Sequence, residues 1–148
     1  MSIKSLSIIL VFAILLCIIN VQAATIYVPD NYKSIQQAID NANDGDTIIV
    51  RDGIYYENVK IDKSVTLKSE NGSANCIIDG SKEGNVVTIK ADKVVIEGFS
   101  IRNSGQEWWE NAGIYIVSDY NVIRNNNITN NDDSIYLGSS NNNTITNN

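Results

Sequence analysis

Short apolar runs separated by Gly, Asn, Asp and Ser dominate the chain from residue 46 onward, and this pattern indicates β-strands. The runs, rich in Val, Ile and Thr, lie at residues 47–50, 59–61, 65–67, 76–78, 86–89, 94–96 and 99–101. Toward the end, residues 121–126 (NVIRNN) recur 22 positions later as NTITNN, and the preceding runs at 113–117 and 134–138 are offset by 21. A fixed period of this size predicts a solenoid of stacked coils.

The repeating unit contains two short strands separated by asparagine-rich turns. It is too small to bury its own apolar side chains, so each coil must stack on its neighbours. Equivalent strand positions recur at intervals of 22 to 29 residues, which pairs Ile61 with Ile89, Leu67 with Ile96, Ile96 with Ile123 and Ile123 with Ile145. Insertions explain the longer intervals, and equivalent strands should run parallel, about 4.8 Å apart.

Side chains alternate across a strand, so we expect the middle residue of each short strand to point outward and its neighbours inward. This predicts an interior column of Ile61, Ile89, Ile116 and Leu137 and an outer column of Lys60, Thr88, Tyr115 and Tyr136. At the turns we expect Asn125 and Asn147 to form a ladder, because an asparagine amide both donates and accepts hydrogen bonds. The regular Ile spacing argues against disorder, the alternative reading of an Asn-rich tract.

A single helix signal lies near the start of the chain, after a short strand at residues 25–28. Ser34 and Gln37 form a capping box, and apolar residues recur at helical spacing at Ile35, Ala38, Ile39 and Ala42. We predict a helix over residues 34–43, closed by Gly45 in the left-handed conformation. Its apolar face is suited to cover the end of the first coil.

Residues 1–23 have the features of an export signal, with Lys4, an apolar run over residues 6–19 and a small-residue cleavage site. A retained membrane anchor is the alternative, but the apolar run is shorter than the roughly 20 residues that span a bilayer. We therefore assign the signal to 1–23, an N-terminal strand and capping helix to 24–45, and β-helix coils to 46–148. The open last coil suggests the front part of a longer array, a truncated reading frame, or an oligomer that pairs open ends.

The composition excludes several classes of catalytic and metal site. The net charge is −6 and the chain contains no histidine, which excludes Ser/His/Asp and Cys/His triads and His-based zinc sites. Lysines and arginines are scattered, so nucleic acid is not an expected partner. After signal removal Cys76 is the only cysteine. Beside Ile77 and Ile78 it is expected to be a buried thiol, with an intermolecular bridge as the alternative.

These residues resemble the right-handed parallel β-helix proteins of the pectate-lyase-like superfamily, in particular its NosD-like, carbohydrate-binding and sugar-hydrolysis (CASH) repeat group. The resemblance rests on residues 26–29 with 34–39, on 44–48 and 53–57, and on the later Gly-Ile-Tyr and Asn-x-Ile-x-x-Asn units. The resemblance covers essentially the whole mature chain. The arrangement of these units is similar to that of archaeal surface β-helix proteins. It implies an all-β solenoid, a right-handed parallel β-helix with a short N-terminal capping α-helix and an uncapped C-terminal end.

The resemblance does not extend to a complete set of catalytic residues. Residues 53–57 look like the Gly-x-Tyr-x-Glu motif of pectin methylesterases, which in that family supports the fold, but that family's later Gln, Asp and Arg-Pro-Trp motifs are missing. Asp132 and Asp133 are similar to the paired aspartates of polygalacturonases, but the accompanying motifs have no counterpart. Copper binding, linked to NosD, lacks ligands here because the chain has no His.

The most unusual local feature is the insertion Glu107, Trp108, Trp109 and Glu110, which holds both tryptophans of the chain. Exposed rings would provide flat faces for sugar stacking, flanked by carboxylates that accept hydroxyl hydrogens, and Tyr115 and Tyr136 could extend the platform. The alternative is ordinary packing, with a Trp covering apolar surface and the tyrosines forming a cross-strand pair. A calcium site at Asp119, Asp132 and Asp133 is also conceivable.

Three asparagines fit the N-glycosylation pattern: Asn71, Asn127 and Asn142. The sequence as a whole favours an exported, non-catalytic β-helix module that contacts polysaccharide or cell-envelope components, without a cofactor and without a membrane span after signal cleavage. Two alternatives stay open. The chain could be the front part of a polysaccharide lyase, hydrolase or pectinesterase-like enzyme, or a purely structural surface-layer element.

Overall fold

A computed structural model describes residues 22–106 and 111–148, which form fourteen strands and one helix, α1 (Ile35–Asn41). The strands are β1 (Thr25–Val28), β2 (Thr47–Val50), β3 (Gly53–Tyr56), β4 (Val59–Ile61), β5 (Thr66–Ser69), β6 (Cys76–Asp79), β7 (Val87–Ile89), β8 (Val95–Glu97), β9 (Ser100–Arg102), β10 (Ala112–Ile116), β11 (Val122–Arg124), β12 (Asn127–Thr129), β13 (Asp133–Leu137) and β14 (Thr144–Thr146).

The strands form three parallel sheets that the chain visits in turn. Sheet A has the order β1-β2-β5-β8-β11-β14, sheet B has the order β12-β9-β6-β3, and sheet C has the order β13-β10-β7-β4. Each circuit from β2, β5, β8 and β11 therefore passes through A, B and C before it returns to A, and every strand pairs with its equivalent in the next coil. The predicted fold, an all-β solenoid of the right-handed parallel β-helix type, is confirmed.

The predicted unit of two strands was wrong, because each coil has three. The missing strand in the later repeat is β12, in which a single core residue, Ile128, lies between two exposed polar residues. A strand of this kind resembles an asparagine-rich turn in sequence. Its pairing identifies it, since Ile128 is in register with the buried Ile101 of β9.

Sheet C has the predicted register and orientation. Tyr115 of β10 pairs with Thr88 and Tyr136, and Ile116 pairs with Ile89 and Leu137, which gives the predicted register of the outer and inner columns. The prediction that Leu137 is buried was wrong, because Leu137, in the last strand of the sheet, is 47% exposed.

Sheet A has the opposite orientation, because the middle residue of its three-residue strands, such as Ile96 in β8 and Ile123 in β11, is the buried one. The rule that the middle residue points outward was therefore wrong for sheet A, and also for β9 and β12 of sheet B, whose middle residues Ile101 and Ile128 face the core.

The asparagine ladder lies one residue later than predicted. Asn125 and Asn147 adopt left-handed backbone with φ values of 57° and 53°. The ladder is made by the residues that follow them, since the Asn148 side-chain oxygen accepts from the backbone and side-chain nitrogens of Asn126 at 3.0 and 2.9 Å. Asparagine tolerates the left-handed conformation, so the first Asn of each pair makes the corner and the second points between coils.

Helix α1 covers the first coil as predicted, although it is shorter than residues 34–43. Ser34 is the N-cap and its hydroxyl accepts from the Gln37 backbone nitrogen at 3.2 Å. The apolar residues Ile35, Ala38 and Ile39 are buried, and the helix packs against β1, β2 and β4. The helix ends at Asn41, and Gly45, with φ +91°, belongs to the following turn rather than to the helix end.

The core is a continuous column of Ile, Val and Leu that includes Cys76 and Phe99. Cys76 is a fully buried free thiol, as the sequence predicted, and burial raises its pKa to about 12. A protonated, inaccessible thiol is poorly suited to nucleophilic or metal chemistry, because the thiolate is the reactive form.

Candidate ligand-binding surface

The outer face of sheet C carries the two tyrosines that the sequence singled out. Tyr115 and Tyr136 are direct cross-strand partners, with ring centroids 5.6 Å apart and ring planes inclined at 44°. Tyr136 is 39% exposed, and the Tyr115 hydroxyl lies beside Gly138, where an added Cβ would be 3.1 Å away. The geometry is that of a tilted aromatic pair, and it leaves part of the Tyr136 ring open to solvent.

The tryptophan pair predicted to stack on sugars lies outside the described residues, together with Glu107 and Glu110. Its neighbours on either side, Gln106 and Asn111, are described and lie at the corner between sheets B and C. The binding role predicted for Trp108 and Trp109 therefore stays a prediction.

A cavity of about 410 Å³ opens at this same corner. It is lined by segments from two consecutive coils: Lys82, Glu83 and Gly84 from the connection between β6 and β7, and Gly105, Gln106 and Asn111 from the connection between β9 and β10. All four non-glycine residues carry polar or charged side chains. Within residues 22–106 and 111–148, the side chains of Lys82, Glu83 and Gln106 make no hydrogen bond or ion pair.

Sequence reasoning missed this cavity, although the sequence contains a signal for it. Seven residues separate β6 from β7 and nine separate β9 from β10, whereas two separate β3 from β4 and three separate β12 from β13. Two consecutive coils are therefore enlarged at the same corner. The longer insertion stands out in the sequence because it contains both tryptophans, whereas the extra residues near position 83 include no aromatic residue.

The wall formed by the shorter insertion is held in an unusual backbone conformation. Ser81, Lys82 and Gly84 have φ values of 57°, 64° and 44°. The left-handed region costs roughly 1–2 kcal/mol for a residue with a Cβ, so it persists where neighbouring contacts fix the backbone. Here the Lys82 nitrogen donates to the Asn103 carbonyl at 2.9 Å, and the side chain of Asn58 donates to the Glu83 carbonyl at 2.6 Å.

An ion pair between the buried Asp79 and the partly exposed Arg102 joins the residues that immediately precede the two insertions. Asp79 is 4% exposed, and its carboxylate accepts from Arg102 Nε at 2.9 Å, Asn103 Nδ2 at 2.8 Å and the Ser81 backbone at 3.0 Å. Burial raises the pKa of this carboxyl, but the hydrogen bonds outweigh burial and hold the pKa below its ordinary value. Asp79 is therefore a fully paired anchor for the loops and is poorly suited to act as a general acid or base.

Glu57, in the segment that resembles pectin methylesterases, has a clear structural role. Its two carboxylate oxygens each accept a hydrogen bond at 3.0 Å, one from the Ile35 backbone nitrogen and one from that of Gln36. These nitrogens begin α1, where backbone donors lack helical partners and negative charge is stabilising. The motif therefore joins the first coil to its capping helix.

The aspartates considered for calcium are not brought together. Asp133 begins β13 and pairs with Ala112, whereas Asp119 lies three residues beyond the far end of β10. A five-residue strand spans roughly 13 Å, so Asp119 and Asp133 lie at opposite ends of sheet C. Within residues 22–106 and 111–148, no cluster of three or more Cys, Asp or Glu side chains is arranged to hold a metal ion.

The three candidate glycosylation sites are all exposed. The Asn71 amide donates to Asp52 Oδ1 at 3.0 Å. Asn127 lies on the outer face of β12, and Asn142 lies in the turn before β14 with φ 56°. Their modification stays a prediction.

Each of the three arginines pairs with at least one carboxylate. Arg51 contacts Asp30 and Glu70, Arg102 contacts Asp79, and Arg124 contacts Glu97. These pairs join neighbouring coils. Because each arginine contacts a carboxylate, its positive charge is compensated locally. The expectation that nucleic acid is not a partner remains a prediction, in keeping with the net charge of −6.

Comparison with known proteins gives one informative relative. No protein-family profile matches the chain. A cell surface glycoprotein of the archaeon Methanothermus fervidus is 52% identical to it over 73 residues, which is 47% of this chain and 12% of that protein. The chain thus matches only a small part of a much longer relative. None of the described residues, 22–106 and 111–148, forms a helix long and apolar enough to cross a membrane. The chain is similar over about half its length to part of an archaeal cell surface glycoprotein.

Proposed function

We propose that this chain is an exported, non-catalytic β-helix module of a cell-surface protein, and that it contacts polysaccharide or another glycan of the cell envelope. The observation that carries the surface assignment is the 52% identity to a protein named as a cell surface glycoprotein. The export signal predicted at residues 1–23 supports the same location.

The shape of the molecule supports a contact role. A solenoid presents long, flat outer faces whose side chains are set by the register of the coils rather than by loops. On sheet C the outer column runs Lys60, Thr88, Tyr115 and Tyr136. The Tyr115–Tyr136 pair lies beside polar side chains that donate and accept hydrogen bonds. This combination suits a sugar ring, which has an apolar face and a rim of hydroxyl groups.

Trp108 and Trp109, which the sequence predicts to stack on sugar rings, would add two further aromatic faces. The described residues that flank them in the sequence, Gln106 and Asn111, lie between β9 and β10, and β10 carries Tyr115. The proposal therefore places the glycan contact at the B–C corner and on the adjoining outer face of sheet C.

Co-sedimentation with insoluble polysaccharides tests this proposal. The purified protein should pellet with at least one polysaccharide of a panel that includes neutral and acidic types. The Trp108→Ala/Trp109→Ala variant and the Tyr136→Ala variant should each bind at least about fivefold more weakly, because each loses an aromatic contact. Tyr120→Ala, which removes a 56% exposed ring at the C–A corner, is the control and should bind like wild type.

Failure of wild-type protein to pellet with any member of the panel would contradict the glycan contact. Equally weakened binding by the Tyr120→Ala control would contradict the assignment of the glycan contact to sheet C and the B–C corner.

A further inference from the structure

We propose that Asn71 receives a covalently attached N-linked glycan, and that the other two Asn-x-Ser/Thr sites of the chain stay unmodified. The inference rests on the proposed export to the cell surface, but not on the proposed contact with polysaccharide. Asn71, Gly72 and Ser73 form one site, and the others begin at Asn127 and Asn142. All three asparagines are exposed, so the surroundings of each site decide between them.

Asn71 lies on an enlarged loop at the corner between sheets A and B. Six residues, 70–75, connect β5 to β6, whereas two residues make each equivalent connection, from β2 to β3, β8 to β9 and β11 to β12. The middle residue of the site, Gly72, stands in open space, because an added Cβ would have nothing within 4 Å. A glycosyltransferase can therefore approach this site from solvent, as it does for sites on surface loops.

The site at Asn127 is held in place by the preceding coil. All three of its residues are in register with β9, and the Asn127 nitrogen donates to the Phe99 carbonyl at 2.8 Å. Its middle residue, Ile128, packs against the hydrophobic core. Moving this segment into the active site of an enzyme would break strand hydrogen bonds and expose Ile128, so folding withdraws the site.

The site at Asn142 is held by the asparagine ladder. The side-chain oxygen of its middle residue, Asn143, accepts from the backbone and side-chain nitrogens of Asn121 at 2.8 and 3.0 Å. The Asn143 amide donates to the Ser118 carbonyl at 3.1 Å, and the Thr144 nitrogen donates to the Asn121 carbonyl at 2.8 Å. The two residues after Asn142 cannot leave the coil without loss of these four hydrogen bonds.

The hydrogen bonds around Asn71 hold its site far less firmly. Its amide donates to Asp52 Oδ1 at 3.0 Å, and both side chains are exposed. Two further bonds stay inside the loop and its base, from the Gly72 nitrogen to Ser69 Oγ at 2.8 Å and from the Asn75 amide to the Asn71 carbonyl at 3.2 Å. A glycosylated asparagine keeps one hydrogen on Nδ2, so it can still donate to Asp52. Modification is therefore compatible with the fold.

The donor is an oligosaccharide joined through its anomeric carbon to a lipid phosphate. Transfer forms a bond between Asn71 Nδ2 and the anomeric carbon, and it breaks the bond between that carbon and the phosphate oxygen. The amide nitrogen loses one proton and the lipid phosphate departs as the leaving group, so no oxidant or reductant is required. The attached glycan would lie at the corner that does not border sheet C, which leaves the outer face of sheet C free.

Expression of the full 148-residue chain in an archaeal host that N-glycosylates its own surface proteins tests the inference. Mass spectrometry of peptides from the exported protein should find a glycan on the peptide that contains Asn71 and on no other. Asn71→Gln removes the acceptor asparagine and Ser73→Ala removes the hydroxyl that the pattern requires, so both should abolish the glycan.

Ser73→Thr keeps that hydroxyl and is the matched control, which should retain the glycan, as should Asn127→Gln and Asn142→Gln. Circular dichroism checks that each variant is folded.

Each contrary result has a distinct meaning. Exported wild-type protein without a glycan at Asn71 would overturn the inference and leave the proposed surface location and polysaccharide contact in place. A glycan at Asn127 or Asn142 would overturn the selection of Asn71 by the fold. Retention of the chain inside the cells would contradict the proposed location, and the inference would fall with it.

Discussion

The side-chain oxygen of Asn148 accepts hydrogen bonds from both the backbone nitrogen and the side-chain nitrogen of Asn126, at 3.0 and 2.9 Å. Asn126 repeats the arrangement one coil earlier, because its own oxygen accepts from the Phe99 backbone nitrogen at 3.0 Å. Its amide also donates to the Ile96 carbonyl at 3.2 Å. A single buried side chain therefore forms hydrogen bonds with both the preceding and the following coil.

Replacing Asn126 with alanine should destabilise the protein by about 2–3 kcal/mol, because the change leaves the buried Phe99 nitrogen without its acceptor. The control is Asn127→Ala, which alters the next residue. That side chain is exposed and makes no hydrogen bond within the described parts of the chain, so its removal should change the free energy of unfolding by less than about 0.5 kcal/mol. Chemical denaturation measures both. Similar effects from the two variants would show that the ladder contributes nothing specific.

Glu57 should stabilise the capping helix. Glu57→Ala removes two acceptors from the first turn of α1, and we expect a loss of about 1–2 kcal/mol in the free energy of unfolding. Glu57→Gln keeps one acceptor and should lose less. The control is Glu83→Ala, which removes an exposed carboxylate with no partner in the described residues and should have no measurable effect. Wild-type stability in Glu57→Ala would show that the helix holds its place by apolar contacts alone.

Asp46 should make stability depend on acid pH. Backbone hydrogen bonds from Asn43 and Ala24 hold the pKa of this carboxyl below its ordinary value despite its burial. A depressed folded-state pKa contributes stability above the ordinary pKa, and that stability is lost as pH falls through the folded-state value.

The free energy of unfolding of wild type should therefore fall in the acid window below the ordinary aspartate pKa of about 4, in part because of Asp46. Asp46→Asn should be less stable than wild type at pH 6, and the gap should narrow as pH decreases through this window. Urea unfolding at a series of pH values measures the gap. A constant difference across the window would contradict an ionised, hydrogen-bonded Asp46.

Signal cleavage after Ala23 would place a charged amino group at Ala24, whose nitrogen lies 2.7 Å from Asp46 Oδ1. A charge-assisted hydrogen bond is stronger than a neutral one, so a chain that begins with a free Ala24 should be more stable than the same chain acetylated at Ala24, by about 1 kcal/mol. In the Asp46→Asn background acetylation should have a much smaller effect. If acetylation has the same effect in both backgrounds, the new terminus does not pair with Asp46.

The inner column of sheet C can be tested by placing a charge in it. Ile116 is fully buried, so Ile116→Asp should unfold the protein or cost more than about 4 kcal/mol. Thr88→Asp puts the same group on the outer face of the adjacent strand and should cost less than about 1 kcal/mol. Thermal unfolding followed by circular dichroism compares the two. Equal stability of the two variants would contradict the assigned orientation of the sheet.

The coil stacking could be predicted from sequence because isoleucine or leucine recurs at equivalent positions of successive strands, as at Leu67, Ile96 and Ile123. The orientation of sheet A was mispredicted because a single rule was applied to every strand. Strands such as β14, in which Ile145 lies between two threonines, instead have the pattern of a strand whose middle residue points inward. The ladder was misplaced for another reason. Adjacent asparagines 125 and 126 are equivalent in composition, and only the backbone angles decide which one forms the corner.

The candidate site was predictable only in part. The Tyr115–Tyr136 pair followed from the 21-residue offset, since equal position in the repeat means adjacency in the sheet. The cavity did not follow, because it forms between two connections of different length whose lining residues are polar and ordinary in sequence. It exists because glycines at positions 80 and 105 allow close approach of consecutive coils.

Tryptophan fluorescence tests the central claim of glycan contact most directly. The chain contains two tryptophans, Trp108 and Trp109, so the signal reports on the predicted contact segment alone. The purified protein would be titrated with neutral and acidic polysaccharides, with the two single variants Trp108→Phe and Trp109→Phe in parallel. We predict a saturable change in intensity with at least one polysaccharide, at a higher half-saturation concentration in at least one variant. A flat response of the wild-type protein across the whole panel would contradict a glycan contact at this segment.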